Sequence, residues 1–473
     1  MKNKIALPYF RLIVFYFIGF HFSWAQISSF QASSNRPNML FILTDDQSQR
    51  DMGAYGNKVL STPNMDKLAL EGMMFDNAFT STAMCVPSRA TLLTGLYPMR
   101  HGAEANHAPI NKGISSVSKY LGNLGYRVGL IGKTHINPID SFDFDYVKRL
   151  QDFAWDSTLT KNEMLSAMKI LNEGGEPFVL FICISNPHTP WPSEWDKVPD
   201  EIELPPHLLD EPKTRLTMSR YYSHVEIADR KVGEAIWAAQ ELGLYDDMLV
   251  FLSSDHGAEF VHSKYTLYDE GIKVPLIARW PGHIKSNSRS SAMVEFVDIV
   301  PTMIDIAGGK PSKMLDGQSM LSVLLGKATN IKKYVYSTSS KDGAKTDYPI
   351  KAIRSGRYKY IINPEYHETY TSWITDSTLG DNWPGYDRHY GYWLSWMAAA
   401  DTSARAKKLV DNYLHRPSEE LYDLIEDPYE LNNIANNPEY KKVKLNLRER
   451  LRKWMIEQRD IHFSAEFFKE LPK

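Results

Sequence analysis

Short, wholly apolar runs alternate with stretches of helical periodicity through the first two-thirds of the chain. The runs Met39 to Leu43, Val128 to Ile131, Phe178 to Ile184 and Met248 to Leu252 are rich in β-branched and aromatic residues, which suits strands buried on both faces of a parallel sheet. Between the third and fourth runs, Tyr221, Val225, Ala228 and Val232 recur at helical spacing within an amphipathic stretch from about Arg215 to Leu242. That predicts a crossover helix, so the middle of the chain reads as βαβ. The fold class is α/β, a large and mostly parallel sheet sandwiched by helices.

In open α/β sheets ligands sit beyond the carboxyl ends of the strands. The four runs lead into Thr44-Asp45-Asp46, Lys133-Thr134-His135, Asn186-Pro187-His188 and Asp255-His256-Gly257. One polar strand ending is ordinary; four at one sheet edge describe a site. Past Gly326 the pattern changes. Strand-like runs at Tyr334 to Ser337 and Tyr358 to Ile362 and a helical pattern from Tyr440 to Gln458 predict a smaller α+β subdomain. Between them, Tyr366 to Trp396 carries four tryptophans, at 373, 383, 393 and 396. This stretch reads as an irregular segment, either a functional loop or one packed back onto the body by its rings.

Composition is that of a globular protein: among 473 residues, 43% are hydrophobic and 23% charged, which excludes wholesale disorder, collagen and coiled coil. The N-terminus places Lys2 and Lys4 before the apolar run Leu12 to Phe20, then Ser23-Trp24-Ala25. This is the pattern of a cleaved export signal, and the run is shorter than the ~20 residues of a membrane span. The expected organisation is therefore a signal over 1–25, a main domain over 26–330 and the C-terminal subdomain over 331–473. The exported protein would be periplasmic or secreted, with no membrane span once the signal is removed. The formal charge of −3 gives no invitation to nucleic acid, although an anionic substrate would still need a local basic patch. Two cysteines, Cys85 and Cys183, make no disulfide framework. Cys183 lies inside an apolar run and reads as a core residue.

The densest chemistry is Cys85-Val86-Pro87-Ser88-Arg89, followed by the short helical pattern Ala90-Thr91-Leu92-Leu93-Thr94 and the stop signal Gly95. A cysteine at a helix N-terminus faces free amides and the positive end of the dipole, which favour an anion and lower a thiol pKa.

Cys85 to Gly95 resembles the signature of the sulfatase family of the alkaline phosphatase superfamily. So do Gly132-Lys133-Thr134-His135, Asn186-Pro187-His188 running through Pro190, and Lys264 to Pro275, which carries Lys264, Tyr268, Gly271 and Pro275 in the family's spacing. The resemblance covers nearly the whole chain after the signal. It implies an alkaline phosphatase-like fold, conversion of Cys85 by a maturation enzyme to formylglycine, and a Ca²⁺ ion. The metal ligands would be Asp45, Asp46, Asp255, His256 and the group at Cys85. Oxygen donors suit a hard divalent cation. Position 256 departs from the family's more usual Asn, as in iduronate sulfatases, and a loop histidine bonded to a neighbour is the other reading of it.

By the same resemblance, Arg89 and Lys133 hold the formylglycine hydrate, Lys264 binds the sulfate, His188 protonates the leaving oxygen and His135 helps restore the aldehyde. Histidine suits proton transfer near neutrality. Ile131 to Pro138, Phe142-Asp143-Phe144 and Ala352-Ile353-Arg354 look most like the sulfamidase and iduronate sulfatase branch. That implies a sulfated oligo- or polysaccharide as substrate, a glycosaminoglycan or an algal polysaccharide such as ulvan. His107, Trp191, His262, Tyr366 and His367 are candidates for the pocket mouth, with ordinary surface residues as the alternative for each. Two rival functions fit the same signature or its surroundings: a phosphodiesterase or phosphonate monoester hydrolase of the same superfamily, and a non-catalytic secreted glycan-binding protein using the aromatic stretch as its platform.

Overall fold

The computed structural model describes Met1 and residues 36–149, 159–191, 197–340, 347–376, 386–460 and 467–471. The expected signal, residues 1–25, falls outside the described residues apart from Met1, as does Trp383. Eight strands, β1 (Met39–Thr44), β2 (Met73–Phe79), β3 (Arg127–Gly132), β4 (Tyr146–Arg149), β5 (Phe178–Cys183), β6 (Leu249–Ser254), β7 (Leu276–Arg279) and β8 (Ser288–Glu295), form one sheet in the order β4-β3-β5-β1-β6-β7-β2-β8. Its pairs are parallel except those made by β7 with β6 and β2. The four apolar runs are the four neighbouring strands β3-β5-β1-β6. Every residue of β1, β5 and β6 is buried, which is why these segments read as continuous hydrophobic runs without alternation.

The two faces of the sheet build separate cores. Met39, Phe41 and Leu43 pack with Val86 and Leu92 of the helix Cys85–Thr94 and with Ile299 and Met303 of the helix Ile299–Ile306. Leu40 and Ile42 point the other way, onto Met164 and Met168 of Lys161–Asn172 and Val232 and Ile236 of Pro212–Glu241. The period-two alternation of the strand thus feeds two helical layers. Pro212–Glu241 is the expected crossover helix, extended by three residues at its start because proline fits the first helical turn, where its missing N–H is no loss.

Past the large sheet, β9 (Val335–Ser339), β10 (Ile350–Arg354), β11 (Tyr358–Ile362) and β12 (Glu419–Asp423) form an antiparallel sheet in the order β12-β11-β10-β9. Its Ile353, Tyr360 and Leu421 pack with Leu447, Leu451 and Trp454 of the helix Lys441–Glu457. The two sheets lie on either side of residue 330, while residues from Pro37 onward make one compact unit. The reading of Tyr366 to Trp396 as irregular needs correction. Its end belongs to a helix, Tyr386–Ala399, with Tyr390, Tyr392, Trp393 and Trp396 all buried. Their spacing is a helix face, disguised in sequence by being aromatic and polar-tipped.

Gly132 ends β3 and delivers Lys133 to the sheet edge. Its φ is +93°, and a Cβ there would meet the Cys183 carbonyl oxygen at 2.0 Å. Both the left-handed backbone and the close approach to β5 require glycine. Gly132→Ala is expected to cost on the order of 2–4 kcal/mol from backbone strain and overpacking, read as a lower midpoint in denaturant unfolding.

Candidate active site

Because β1, β3, β5 and β6 run parallel, their carboxyl ends share one edge, and backbone hydrogen bonds fix the loops that leave them. Asp45 N donates to Asn186 O (3.1 Å), Lys133 N to Cys183 O (2.9 Å) and Asp255 N to Thr44 O (3.1 Å). Asp46 adopts a left-handed backbone, φ +64°, and its N–H donates to Asp255 Oδ1 at 3.1 Å. Three carboxylates, Asp45, Asp46 and Asp255, are thereby gathered with essentially no exposure.

The signature helix comes in from one face of this edge. Its first residue is Cys85, and Gly95 ends it in a left-handed conformation with its N–H on Thr91 O. Ser88 Oγ donates to Asp255 O at 2.6 Å. Arg89, buried one turn in, reaches Asp45 Oδ1 at 3.1 Å and Asp255 Oδ2 at 2.9 Å and donates through Nη1 to Lys133 O at 2.8 Å. One guanidinium therefore ties three loops, which its planar fork of donors allows and an ammonium would not.

Around Cys85 Sγ stand His256 Nε2 at 3.4 Å, Lys133 Nζ at 3.9 Å and Asp45 Oδ1 at 3.9 Å. Lys133 also bonds Asp45 Oδ2. Lys264 is buried and donates to Asp46 Oδ2 at 2.7 Å. His188 Nε2 faces the same oxygen at 3.9 Å, its Nδ1 being engaged by Thr189 O at 2.5 Å. His135, at φ +40°, sets Nε2 3.3 Å from His107 Nδ1.

Charge and burial compete at each group. Burial would raise the Asp45 carboxyl, but Lys133 and Arg89 outweigh it and hold it well below the ordinary range. Asp46 goes the other way: burial pushes it up to about 7 despite Lys264, His188 and His256. Burial would also raise the Cys85 thiol, yet Lys133, Lys264 and His256 bring it well below its usual value. For His188, burial and the two lysines pull down while Asp46 and Asp45 pull up, and the carboxylates win.

A cation fits this cluster. Asp46 Oδ1 is buried with no hydrogen-bond donor. Asp46, Cys85 and His256 offer donor atoms within 4.8 Å of one another, and so do Asp45, Cys85 and Asp255. His256 Nδ1 contacts Gly257 O at 3.0 Å, which fixes the ring so that Nε2 points inward, the arrangement expected of a metal-binding imidazole.

The structure thus brings together Asp45, Asp46, Cys85, Arg89, Lys133, His188, Asp255, His256 and Lys264, with His135 and the exposed His107 beside them. Two pocket-mouth expectations need correction. Trp191 is 1% exposed, stacked on Phe260 with its N–H on Pro187 O, because an indole so large and apolar is better buried than left in a polar mouth. His262 turns away, stacks on Tyr268 at 3.9 Å and lines a cavity of about 180 Å³ whose other walls include His207, Tyr422 and Glu430 and none of the cluster. Tyr366 and His367 are exposed and their rings contact each other. Cys183 is buried in the core. Sequence reading missed Glu259, Thr189 and Tyr390. Glu259 lies only three residues past His256, but nothing local marks it as facing Lys264.

The fold is of the alkaline phosphatase-like type, and similarity to known proteins defines the class. The sulfatase family model matches residues 37–309, and a model for the C-terminal part of N-sulphoglucosamine sulphohydrolase matches residues 257–377 and 385–457. The chain belongs to the sulfatase family, the sulfuric ester hydrolases. It is 34% identical to an ulvan-active sulfatase of Formosa agariphila, over 91% of this chain and 82% of that one. It is 26% identical to human N-sulphoglucosamine sulphohydrolase, over 90% and 91%. Among solved structures, one in complex with its substrate D-glucosamine-2-N,6-O-disulfate has the same fold, with a TM-score of 0.68 at 21% identity over 90% of this chain and 99% of that one. The phosphonate monoester hydrolase of Agrobacterium radiobacter shares the fold too, with a TM-score of 0.66 at 20% identity over 89% and 96%.

The packing of the signature helix generates two expected outcomes. Arg89→Ala leaves two buried carboxylates facing each other and should cost about 3–5 kcal/mol in chemical denaturation. His101, which braces the signature helix through Thr91 Oγ1, is pushed down to about 3 by burial. It stays neutral in the folded chain while the unfolded chain takes a proton below its ordinary value near 6.5. Its contribution is present above pH 6.5 and lost as the pH falls toward 3. Unfolding free energy measured across that window should fall more steeply in the wild type than in His101→Gln.

Proposed function

We propose that this sulfatase removes sulfate from a sulfated carbohydrate, an algal polysaccharide such as ulvan, a glycosaminoglycan, or oligosaccharides from them. A maturation enzyme would convert Cys85 to formylglycine, and Ca²⁺ would be the metal. The observation that carries the reading is the convergence of three buried carboxylates and His256 on Cys85, ringed by Arg89, Lys133 and Lys264. The relatives' names support a carbohydrate over a small aryl sulfate. Export rests on the basic, then apolar, N-terminal pattern; among the described residues no helix is long and apolar enough to cross a membrane.

Asp45, Asp46, Asp255 and His256 would hold the ion. Bound there, Ca²⁺ supplies positive charge against the oxygens of the sulfate and favours an oxygen nucleophile at position 85. The protein's own groups do the rest. Arg89 and Lys133 orient the group at position 85, Lys133 from 3.9 Å. Lys264, fixed on Asp46, meets the sulfate, and such preplaced charge is the main source of rate in transfers of this kind. His188 has its Nδ1 committed to Thr189 O, and its Nε2 faces the cluster as general acid for the leaving oxygen. An imidazole suits that role because its ordinary titration range lies near neutrality. His135 would move a proton at position 85, with His107 beside it.

Sulfate release measured by ion chromatography from a panel of sulfated polysaccharides and their oligosaccharides, with a phosphodiester control, tests the reading. Wild type should release sulfate after mass spectrometry confirms the aldehyde at position 85. Cys85→Ala should release none, and chelation of divalent cations should abolish turnover, with Ca²⁺ restoring it. Turnover of the phosphodiester with no release from any sulfate would assign the chain to phosphodiester chemistry instead.

A further inference from the structure

Glu259 sits on the loop after β6, five residues before Lys264, and is 4% exposed. A carboxylate so buried is costly unless its oxygens are engaged, and here three partners engage them, two from distant segments and one from its own loop. Tyr390, on the helix Tyr386–Ala399, donates to Oε1 at 2.6 Å. Thr189 donates its hydroxyl to Oε2 at 2.9 Å, and Lys264 Nζ lies 3.4 Å from the same Oε2. Thr189 is also the residue whose carbonyl takes His188 Nδ1. One carboxylate therefore touches Lys264 directly, has a His188 ring nitrogen within 4.8 Å, and is tied to His188 through Thr189.

The arrangement has a physical purpose beyond packing. Lys264 at 2.7 Å from Asp46 would, with no second anion, direct its whole charge onto one of the carboxylates assigned to the cation. Glu259 draws the ammonium to a position between two carboxylates. The Thr189 hydroxyl bond holds the peptide that orients the His188 ring. Tyr390 in turn locks Glu259, so the C-terminal aromatic helix reaches the sulfate site through one hydroxyl.

We infer that Glu259 is a positioning residue that sets both the sulfate-binding Lys264 and, through Thr189, the leaving-group acid His188. The inference rests on the roles assigned to those two residues above, and it makes them separable. Glu259→Gln keeps the size and an acceptor but removes the charge opposite Lys264. Thr189→Val keeps the shape but removes the hydroxyl bond that steadies His188. An interaction with sulfate is made in ground and transition states alike and appears in KM, whereas proton delivery is made only in the transition state and appears in kcat.

Steady-state sulfate release from the substrate that serves wild type, together with the thermal midpoint of each variant, tests this. Glu259→Gln should raise KM about tenfold and lower kcat by a smaller factor, since a charge near His188 is lost as well, and Thr189→Val should lower kcat about tenfold with KM within about twofold. Tyr390→Phe should raise KM by a smaller factor, about threefold, and it decides the matter alongside Thr189→Val if Glu259→Gln does not accumulate as folded protein. Wild-type values of KM and kcat in the folded variants would overturn the inference. So would equal losses in both that merely track a lowered thermal midpoint. A wild type that releases no sulfate at all would overturn the functional reading, so the two failures are told apart.

Discussion

Three carboxylates with almost no solvent exposure, Asp45, Asp46 and Asp255, set the terms for the rest of this molecule. Like charges cannot be buried together without compensation. The compensation is supplied by three cations from three separate places in the chain: Arg89 from the signature helix, Lys133 from the end of β3 and Lys264 from the loop after β6. The arrangement is asymmetric. Asp45 has two cations and is held ionised, while Asp46 has one oxygen with no hydrogen-bond donor and a carboxyl pushed up by burial. That imbalance leaves room for further positive charge at the cluster, which a fully paired network would not.

The scaffold makes such a concentration of charge tolerable. Four adjacent parallel strands end at the same edge, and each strand is packed on both faces by helices. The loops inherit that rigidity through backbone bonds between neighbouring strand ends. The helix Cys85–Thr94 is buried along its whole length, so Cys85 and Arg89 are held by packing. The C-terminal part contributes through Tyr390, whose hydroxyl reaches Glu259 from a helix more than a hundred residues further along the chain. Aromatic side chains carry this contact well, being apolar along the ring and polar at the tip.

Much of this was legible in the chain because local pattern carries it. Continuous apolar runs mark strands covered on both sides, the Tyr221 to Val232 spacing marks a crossover helix, and Cys85 to Gly95 is a contiguous signature. The polar residues just after each run are read correctly as one edge because parallel topology leaves them nowhere else to go. The features that stayed illegible have equally physical causes. The helix Tyr386–Ala399 hides because its buried face is made of tyrosine and tryptophan. Trp191 and His262 look like pocket residues by type, yet their ring orientation depends on partners elsewhere in the chain, Phe260 and Tyr268 among them.

The sequence by itself determined the strand runs, the main crossover helix, the Cys85 to Gly95 signature and the charged residues that follow each strand, since each depends on residue type and near spacing. Only the tertiary structure decided how charge is shared among them. That Arg89 spans Asp45 and Asp255, that Lys264 lies between Asp46 and Glu259, and that Glu259 meets Thr189 and Tyr390 all depend on side chains converging from distant parts of the chain. Electrostatic energy depends on distance and burial, and neither is written in the order of residues along a chain.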